Sequence, residues 1–267
     1  MRLTGFGEIL WDVFDQEKKI GGAPFNFAAH AVRQGAEVCL ISAVGQDELG
    51  EEALAACKKL HVPADYIARL SNYPTGKCQV ALKDGMPVYD LSGDYAYDHI
   101  PFPKDLFLEN QPQECDSPTK GSAIQARNQS AATSSKEPSA IYFGTLAQRG
   151  DESRSTLKQI LTKKHLVDEV FFDINIRQHY YNDELIDESI RAATILKVSR
   201  EEINVLADKW PSNLKMILVT MDSDGAFVYE RDGKITKSKR PSCQVVSTVG
   251  AGDALDRKST SELQSRI

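Results

Sequence analysis

A glycine-containing segment near the end of the sequence combines the two kinds of group that a phosphoryl transfer requires. Gly250, Ala251 and Gly252 stand directly before a predicted helix start, so several backbone N–H groups can converge on one anion. Asp253 follows immediately, and a carboxylate at that place can accept the proton of an attacking hydroxyl group. The same four residues can equally form a helix-capping turn with the aspartate in its first turn.

A second segment, residues 21–31, begins with two glycines and continues into a predicted helix with small residues on its early turns. Such a turn can bring the Gly22 backbone and the Asn26 amide close to a polyol. Glu8 and Asp12 add polar groups near the end of the first strand. A tight loop with Asn26 as an ordinary first-turn polar residue explains the same pattern.

The segments between these motifs predict the elements that must position them. Short apolar runs predict strands over residues 3–10, 38–44, 140–145, 169–174, 193–198 and 216–221. Helical spacing predicts helices over residues 23–34, 49–60, 152–164, 183–190 and 201–207. This β-α-β succession predicts an α/β fold, with a mostly parallel sheet flanked by helices.

Three segments depart from that alternation. Asp84-Gly85 between two strand-like runs predicts a hairpin, and lid strands are expected over about 11–20 and 75–98. Residues 109–139 are rich in Gln, Ser, Ala, Lys, Pro and Asn, which predicts a disordered insertion. Residues 256–267 form a polar tail with too few apolar residues for a buried helix face.

Composition narrows the classes of function. The 267 residues are 41% hydrophobic and suit one large domain, here taken as 1–255. A net charge of −6 offers no general attraction for nucleic acid or anionic lipid, and the absence of a signal-peptide pattern or long apolar run predicts a cytoplasmic protein. The five cysteines form no C-x-x-C pair and the five histidines no metal-ligand spacing, which predicts reduced thiols and no zinc site.

The two glycine motifs, in this order, resemble the two signature segments of ribokinase-like carbohydrate kinases of the PfkB type. Between them, residues 44–50, 143–149, 172–178 and 196–202 are each similar to fructokinase segments. The likeness covers residues 2–255 except the insertion. It implies a Rossmann-like core with a small β lid through which a homodimer can form.

The resemblance also implies the chemistry: ATP as phosphoryl donor, Mg²⁺ held through phosphates and water, and transfer to a sugar primary alcohol, with the 6-hydroxyl of D-fructose the leading candidate. It implies the following roles: Asp253 as base; Gly250, Ala251 and Gly252 as anion hole; Asp12, Gly22 and Asn26 as sugar contacts; Asn175 and Arg177 near the sugar or phosphate; Thr220 and Gly225 along the nucleotide phosphates; and Glu202 organising magnesium and its waters.

Some residues leave an alternative open. Arginine's planar fork suits a phosphate or a vicinal diol, but Arg177 can simply pair with Asp173 or another nearby carboxylate. Asp222, Ser247 and Ser199 differ from the residues usual in the family, and a polar tail stands where the family continues with an apolar helix. These departures support a second hypothesis, a truncated or degenerate homologue that binds sugar without phosphorylating it.

Overall fold

The computed structural model describes residues 1–14, 17–83, 86–107, 139–206, 211–221 and 224–238. In chain order its strands and α-helices are β1 (Arg2–Phe6), β2 (Leu10–Val13), β3 (Lys18–Gly21), α1 (Ala23–Arg33), β4 (Glu37–Gly45), α2 (Glu48–Lys59), β5 (Ile67–Leu70), β6 (Gly76–Lys83), β7 (Met86–Asp90), β8 (Ser139–Gly144), α3 (Asp151–Leu161), β9 (Glu169–Asp173), α4 (Asp183–Ala192), β10 (Ile195–Ser199), β11 (Met216–Thr220), β12 (Ala226–Glu230) and β13 (Ile235–Ser238).

Within the described ranges the strands form two sheets. The main sheet has nine strands in the order β13-β12-β11-β10-β9-β8-β1-β4-β5. Its pairs from β5 to β11 are all parallel, while β12 and β13 are added antiparallel at one edge. The smaller sheet has the order β3-β2-β6-β7. The predicted fold class, a mostly parallel sheet flanked by helices, is confirmed.

Alternating large side chains bury both faces of the main sheet. Tyr142 and Phe171 point to one face, where Phe27 of α1 stacks on the Tyr142 ring with centroids 4.1 Å apart. Phe143 and Phe172 point to the other face and belong to the same core as residues of α3 and α4. Helices therefore cover both faces, which is why the parallel strands are apolar almost throughout.

The predicted strand over residues 3–10 is wrong, because the chain changes sheets within it. Gly7 has a φ of 139°, a backbone conformation that is easy only for glycine. β1 ends one residue earlier, at Phe6, and Leu10 pairs with Gly76 in the smaller sheet. One apolar run thus supplies two strands.

Other elements differ from the predicted ones near their ends. The expected helix over 201–207 is a 3-10 turn, Glu202–Leu206, and the Ser199 hydroxyl oxygen accepts from the Glu202 N–H at its start. The helix α3 ends at Leu161, before a separate 3-10 turn. Residues 91–98, expected in the lid, leave the sheet and pack onto the core through Tyr95 and Tyr97. β5, β12 and β13 were not predicted.

Several predicted features lie outside the described residues. They include the anion-hole segment Gly250–Asp253, the tail 256–267, Asp222, Ser247 and the insertion up to residue 138. Ser139, which was assigned to that insertion, is instead the first residue of β8. Of the helices that the structure describes, none has the length and apolar character needed to cross a lipid bilayer.

Candidate functional site

A cavity of about 600 Å³ lies where the carboxyl ends of the main-sheet strands meet the smaller sheet. The five predicted substrate-binding residues all line it, and so do two residues with predicted roles at the nucleotide and metal: Asp12, Gly22, Asn26, Asn175, Arg177, Thr220 and Glu202. This edge of a parallel sheet is where α/β folds place their ligands. Gly225, in the turn before β12, is outside the lining.

Gly22 shapes the wall formed by the start of α1. It is the N-cap residue with a φ of 107°, and a Cβ on it would stand 2.3 Å from the Glu8 carbonyl oxygen. The Ala23 N–H donates to Glu8 Oε1 at 3.1 Å, so a buried carboxylate occupies the helix N-terminus. Asn26 follows one turn later and lines the cavity.

Asp12 reaches the cavity because successive side chains along β2 point to opposite faces of the smaller sheet. Leu10, Asp12 and Phe14 line the cavity, while Trp11 points to the opposite side and donates its indole N–H to the Leu49 carbonyl oxygen at 3.0 Å. Cys78 of β6 stands beside Asp12 in register and also lines the cavity. Burial raises the pKa of the Cys78 thiol to about 11, so this group is neutral at physiological pH.

Asn175 and Arg177 lie in the loop that follows β9. The predicted alternative, in which Asp173 pairs with Arg177, is wrong. Asp173 Oδ2 instead accepts from Lys197 Nζ at 2.5 Å and from the Tyr142 hydroxyl at 2.9 Å. Arg177 is exposed on the cavity side and, in the part of the chain that the structure describes, has no carboxylate within ion-pair distance.

The Lys197–Asp173 pair is a feature of the site that sequence reasoning missed. Both side chains are buried, 6% and 1% exposed, and both line the cavity. Lys197 stands two residues before Ser199 near the end of β10, and Asp173 stands two residues before Asn175 at the end of β9. Ser199 and Asn175 also line the cavity. A period of two along a strand places both on the same face, which is the signal that could have identified them.

Glu202 connects the loops that follow β9 and β10. Its two carboxylate oxygens accept from the Ile176 N–H at 2.7 Å and from the Ser199 N–H at 2.8 Å. Each oxygen keeps a second lone pair, so a contact with a hydrated magnesium ion remains compatible with this geometry. Within the described residues there is no group of three or more His, Cys, Asp or Glu side chains able to hold a metal directly.

Thr220 ends β11 and lines the cavity, while Gly225 closes the turn into β12. Gly225 has a φ of 93°, and its carbonyl oxygen accepts from the Met221 N–H at 2.8 Å. Asp224 beside it pairs with Arg200 at 2.5 Å. The turn therefore approaches the same strand ends as the cavity.

Comparisons with known proteins agree with this architecture. An uncharacterised sugar kinase from Pyrococcus horikoshii is 27% identical over 92% of this chain and 73% of its own length. A fructokinase from Rhizobium leguminosarum bv. trifolii is 24% identical over 94% and 76%. The crystal structure of a fructokinase with bound ATP from Xylella fastidiosa superposes with a TM-score of 0.77, covering 100% of this chain and 82% of that one, at 19% identity.

The model of the pfkB family of carbohydrate kinases matches residues 2–90 and 106–255. Those ranges hold both glycine motifs and every strand of the two sheets. The resemblance inferred from the ordered motifs is confirmed, and the chain belongs to the pfkB family of carbohydrate kinases.

Proposed function

We propose that this protein is an ATP-dependent sugar kinase that phosphorylates the primary hydroxyl of a ketohexose, converting D-fructose to fructose 6-phosphate. The observation that carries the proposal is the single cavity that gathers Asp12, Asn26, Asn175 and Arg177 beside Glu202 and the end of β11. In this proposal the smaller sheet is a lid over the sugar.

The polar groups suit a polyol. Asp12 accepts hydrogen bonds from hydroxyl groups, while the amides of Asn26 and Asn175 both donate and accept. The guanidinium fork of Arg177 matches a vicinal diol or a phosphoryl oxygen pair. Gly22 lets the start of α1 lie close to Glu8, because a side chain at this position would collide with the Glu8 carbonyl oxygen.

The charge of the cavity favours a neutral sugar over an anionic one. The charges of Asp173 and Lys197 offset each other in an ion pair. Of the other charged groups in the described lining, one is the guanidinium of Arg177 and four are carboxylates: Glu8, Asp12, Glu201 and Glu202. An anionic sugar would meet repulsion from this excess of negative charge. A neutral substrate would set the protein apart from its relatives named as a 6-phosphofructokinase and as 5-dehydro-2-deoxygluconokinases.

The residues assigned to the transfer step come after the main sheet in the sequence and lie outside the described ranges. In the proposal Asp253 takes the proton of the primary hydroxyl as its oxygen bonds to the γ-phosphorus, the bond to the β-phosphate oxygen breaks, and ADP leaves. The backbone N–H groups of Gly250, Ala251 and Gly252 stabilise the charge on the transferred group. Thr220 and Gly225 would lie along the phosphates, and Glu202 would hold Mg²⁺ through its waters, where the ion would neutralise charge on the phosphates.

A panel of acceptors tests the substrate class. We expect MgATP-dependent ADP release with D-fructose, with kcat/KM at least about tenfold above that for ribose, glucose, 2-keto-3-deoxygluconate and fructose 6-phosphate. A preference for either anionic acceptor would contradict the charge argument. A preference for another neutral sugar would contradict the assignment of fructose while keeping the reaction class.

A further inference from the structure

The loop after β9 has a backbone conformation that residues with side chains seldom adopt. Asn175 has a φ of 42° and Gln178 a φ of 51°, both in the left-handed region. Asparagine tolerates that region through local hydrogen bonds of its short side chain, but glutamine has no such preference. The loop that carries Asn175 and Arg177 therefore depends on contacts that hold it in place.

Contacts at its two ends come from other parts of the fold. The Thr145 hydroxyl donates to the Ile174 carbonyl oxygen, and the Gln178 side-chain amide donates to the Tyr89 carbonyl oxygen on β7. Between these ends, Asn175 and Arg177 flank Ile176. A shift of the Ile176 backbone would therefore move both of its neighbours.

Glu202 holds that middle position. Its carboxylate accepts the Ile176 N–H at 2.7 Å and the Ser199 N–H at 2.8 Å, and so ties the loop after β9 to the end of the neighbouring strand β10. Hydrogen bonds from N–H groups to a carboxylate are roughly twice as strong as bonds between neutral groups. One side chain thus fixes the relative position of two loops that line the cavity.

We propose that Glu202 is a positioning residue for the sugar subsite: its bond to the Ile176 N–H sets the placement of Asn175 and Arg177 independently of metal and nucleotide. The inference rests on the proposed function in assigning the sugar to those two residues. It adds a role to the one toward magnesium that is proposed above for Glu202. A role confined to magnesium would leave sugar binding unaffected when no metal is present.

Sugar binding without metal or nucleotide separates the two roles. Binding of D-fructose to the purified chain is measured by calorimetry in EDTA for the wild type, Glu202→Ala and Glu202→Gln. We expect the Kd to rise about tenfold or more in Glu202→Ala, from the loss of hydrogen bonds to a charged group. Glu202→Gln keeps the shape and one acceptor oxygen, so its Kd should lie between those of the wild type and Glu202→Ala.

The neighbouring carboxylate provides a charge-matched control. Glu201 lines the same cavity but makes no hydrogen bond or ion pair with other described residues. Glu201→Gln removes the same charge without releasing Ile176, so its Kd for D-fructose should rise clearly less than that of Glu202→Gln. An equal loss of affinity in Glu201→Gln and Glu202→Gln would overturn the proposal, because charge alone would then explain the effect.

Amide hydrogen exchange gives a second measurement that needs no sugar. The Ile176 amide should exchange faster in Glu202→Ala, which removes the acceptor, than in the wild type and Glu201→Gln. Unchanged exchange, or faster exchange with an unchanged Kd, would overturn the proposal. A wild-type chain that binds no sugar would contradict the proposed function instead, and the exchange rate of Ile176 would then decide for or against the contact.

Discussion

Arg149 binds residues 91–98, the segment that connects the smaller sheet to the core. Its guanidinium donates to both carboxylate oxygens of Asp98 at 2.8 Å and to the carbonyl oxygens of Leu91 at 2.7 Å and Gly93 at 2.6 Å. It also lies 4.4 Å from the centre of the Tyr180 ring. Burial alone would lower the pKa of Arg149, but the bonds to Asp98 outweigh it and the net pKa is raised.

Arg149→Met keeps much of the side-chain volume and removes the charge. The two partners are only 9% and 5% exposed, so the variant leaves the Asp98 carboxylate buried with its main partner gone. Loss of one member of a buried ion pair costs about 3–5 kcal/mol, and we expect that decrease in the free energy of unfolding. A typical domain has roughly 5–15 kcal/mol in total, so the variant should be close to unfolding.

Urea unfolding followed by tryptophan fluorescence measures the decrease, with Arg191→Met as the matched control. Arg191 pairs with Asp187 at 3.5 Å, and these side chains are 70% and 60% exposed. An exposed pair contributes about 0–1 kcal/mol, so this control should be nearly as stable as the wild type. Equal decreases in the two variants, or a decrease below about 1 kcal/mol in Arg149→Met, would refute the account of the buried contact.

Two further predictions concern the cavity wall and a histidine near α3. Gly22→Ala should lower the free energy of unfolding by about 2 kcal/mol or more in urea unfolding, because its Cβ would stand 2.3 Å from a carbonyl oxygen; Gly35→Ala, with a φ of 81° but nothing within 4 Å, should lose only about 1 kcal/mol. Equal losses would contradict the collision. Burial lowers the pKa of His99, but its bonds to Asp94 and Glu152 outweigh burial and the net pKa is raised above 6.5. This stabilisation is complete below about pH 6.5 and is lost as pH rises through the folded-state pKa, so the stability difference between the wild type and His99→Gln should shrink as pH rises above about 6.5. A difference that grows with pH would contradict it.

Periodicity predicted most of the main sheet because its parallel strands are buried on both faces. β4, β8, β9, β10 and β11 all lie within one or two residues of the expected ranges. The break after β1 was missed because Gly7 interrupts an apolar run whose two halves enter different sheets. Composition alone does not reveal such a change of sheet.

Edge strands were harder to predict for a related reason. β13 alternates exposed and half-buried residues, and Ile235 is 60% exposed. A strand that buries little apolar area leaves a weak pattern in the sequence. β5 at the opposite edge is only four residues long, so its pattern is similarly brief.

The site residues also divide into those that the sequence revealed and those that depend on the arrangement of the sheet. Asp12, Gly22 and Asn26 were named from the first glycine motif and the strand before it, and Asn175 and Arg177 from the family resemblance; the structure places all five around one cavity. The Lys197–Asp173 pair and the contact between Glu202 and Ile176 depend on neighbouring strands β9 and β10 that are distant in sequence. Only the sheet order brings those residues together.

Sugar-dependent ADP release tests the central claim most directly. Purified wild-type chain, Asp253→Ala and Asp253→Asn are each given MgATP with and without D-fructose in a coupled assay, and fructose binding is measured in parallel. The account predicts fructose-dependent release in the wild type, a loss of about a hundredfold or more in both variants, and a sugar affinity that changes little. Fructose binding by the wild type without ADP release, or equal rates in the wild type and the Asp253 variants, would contradict it.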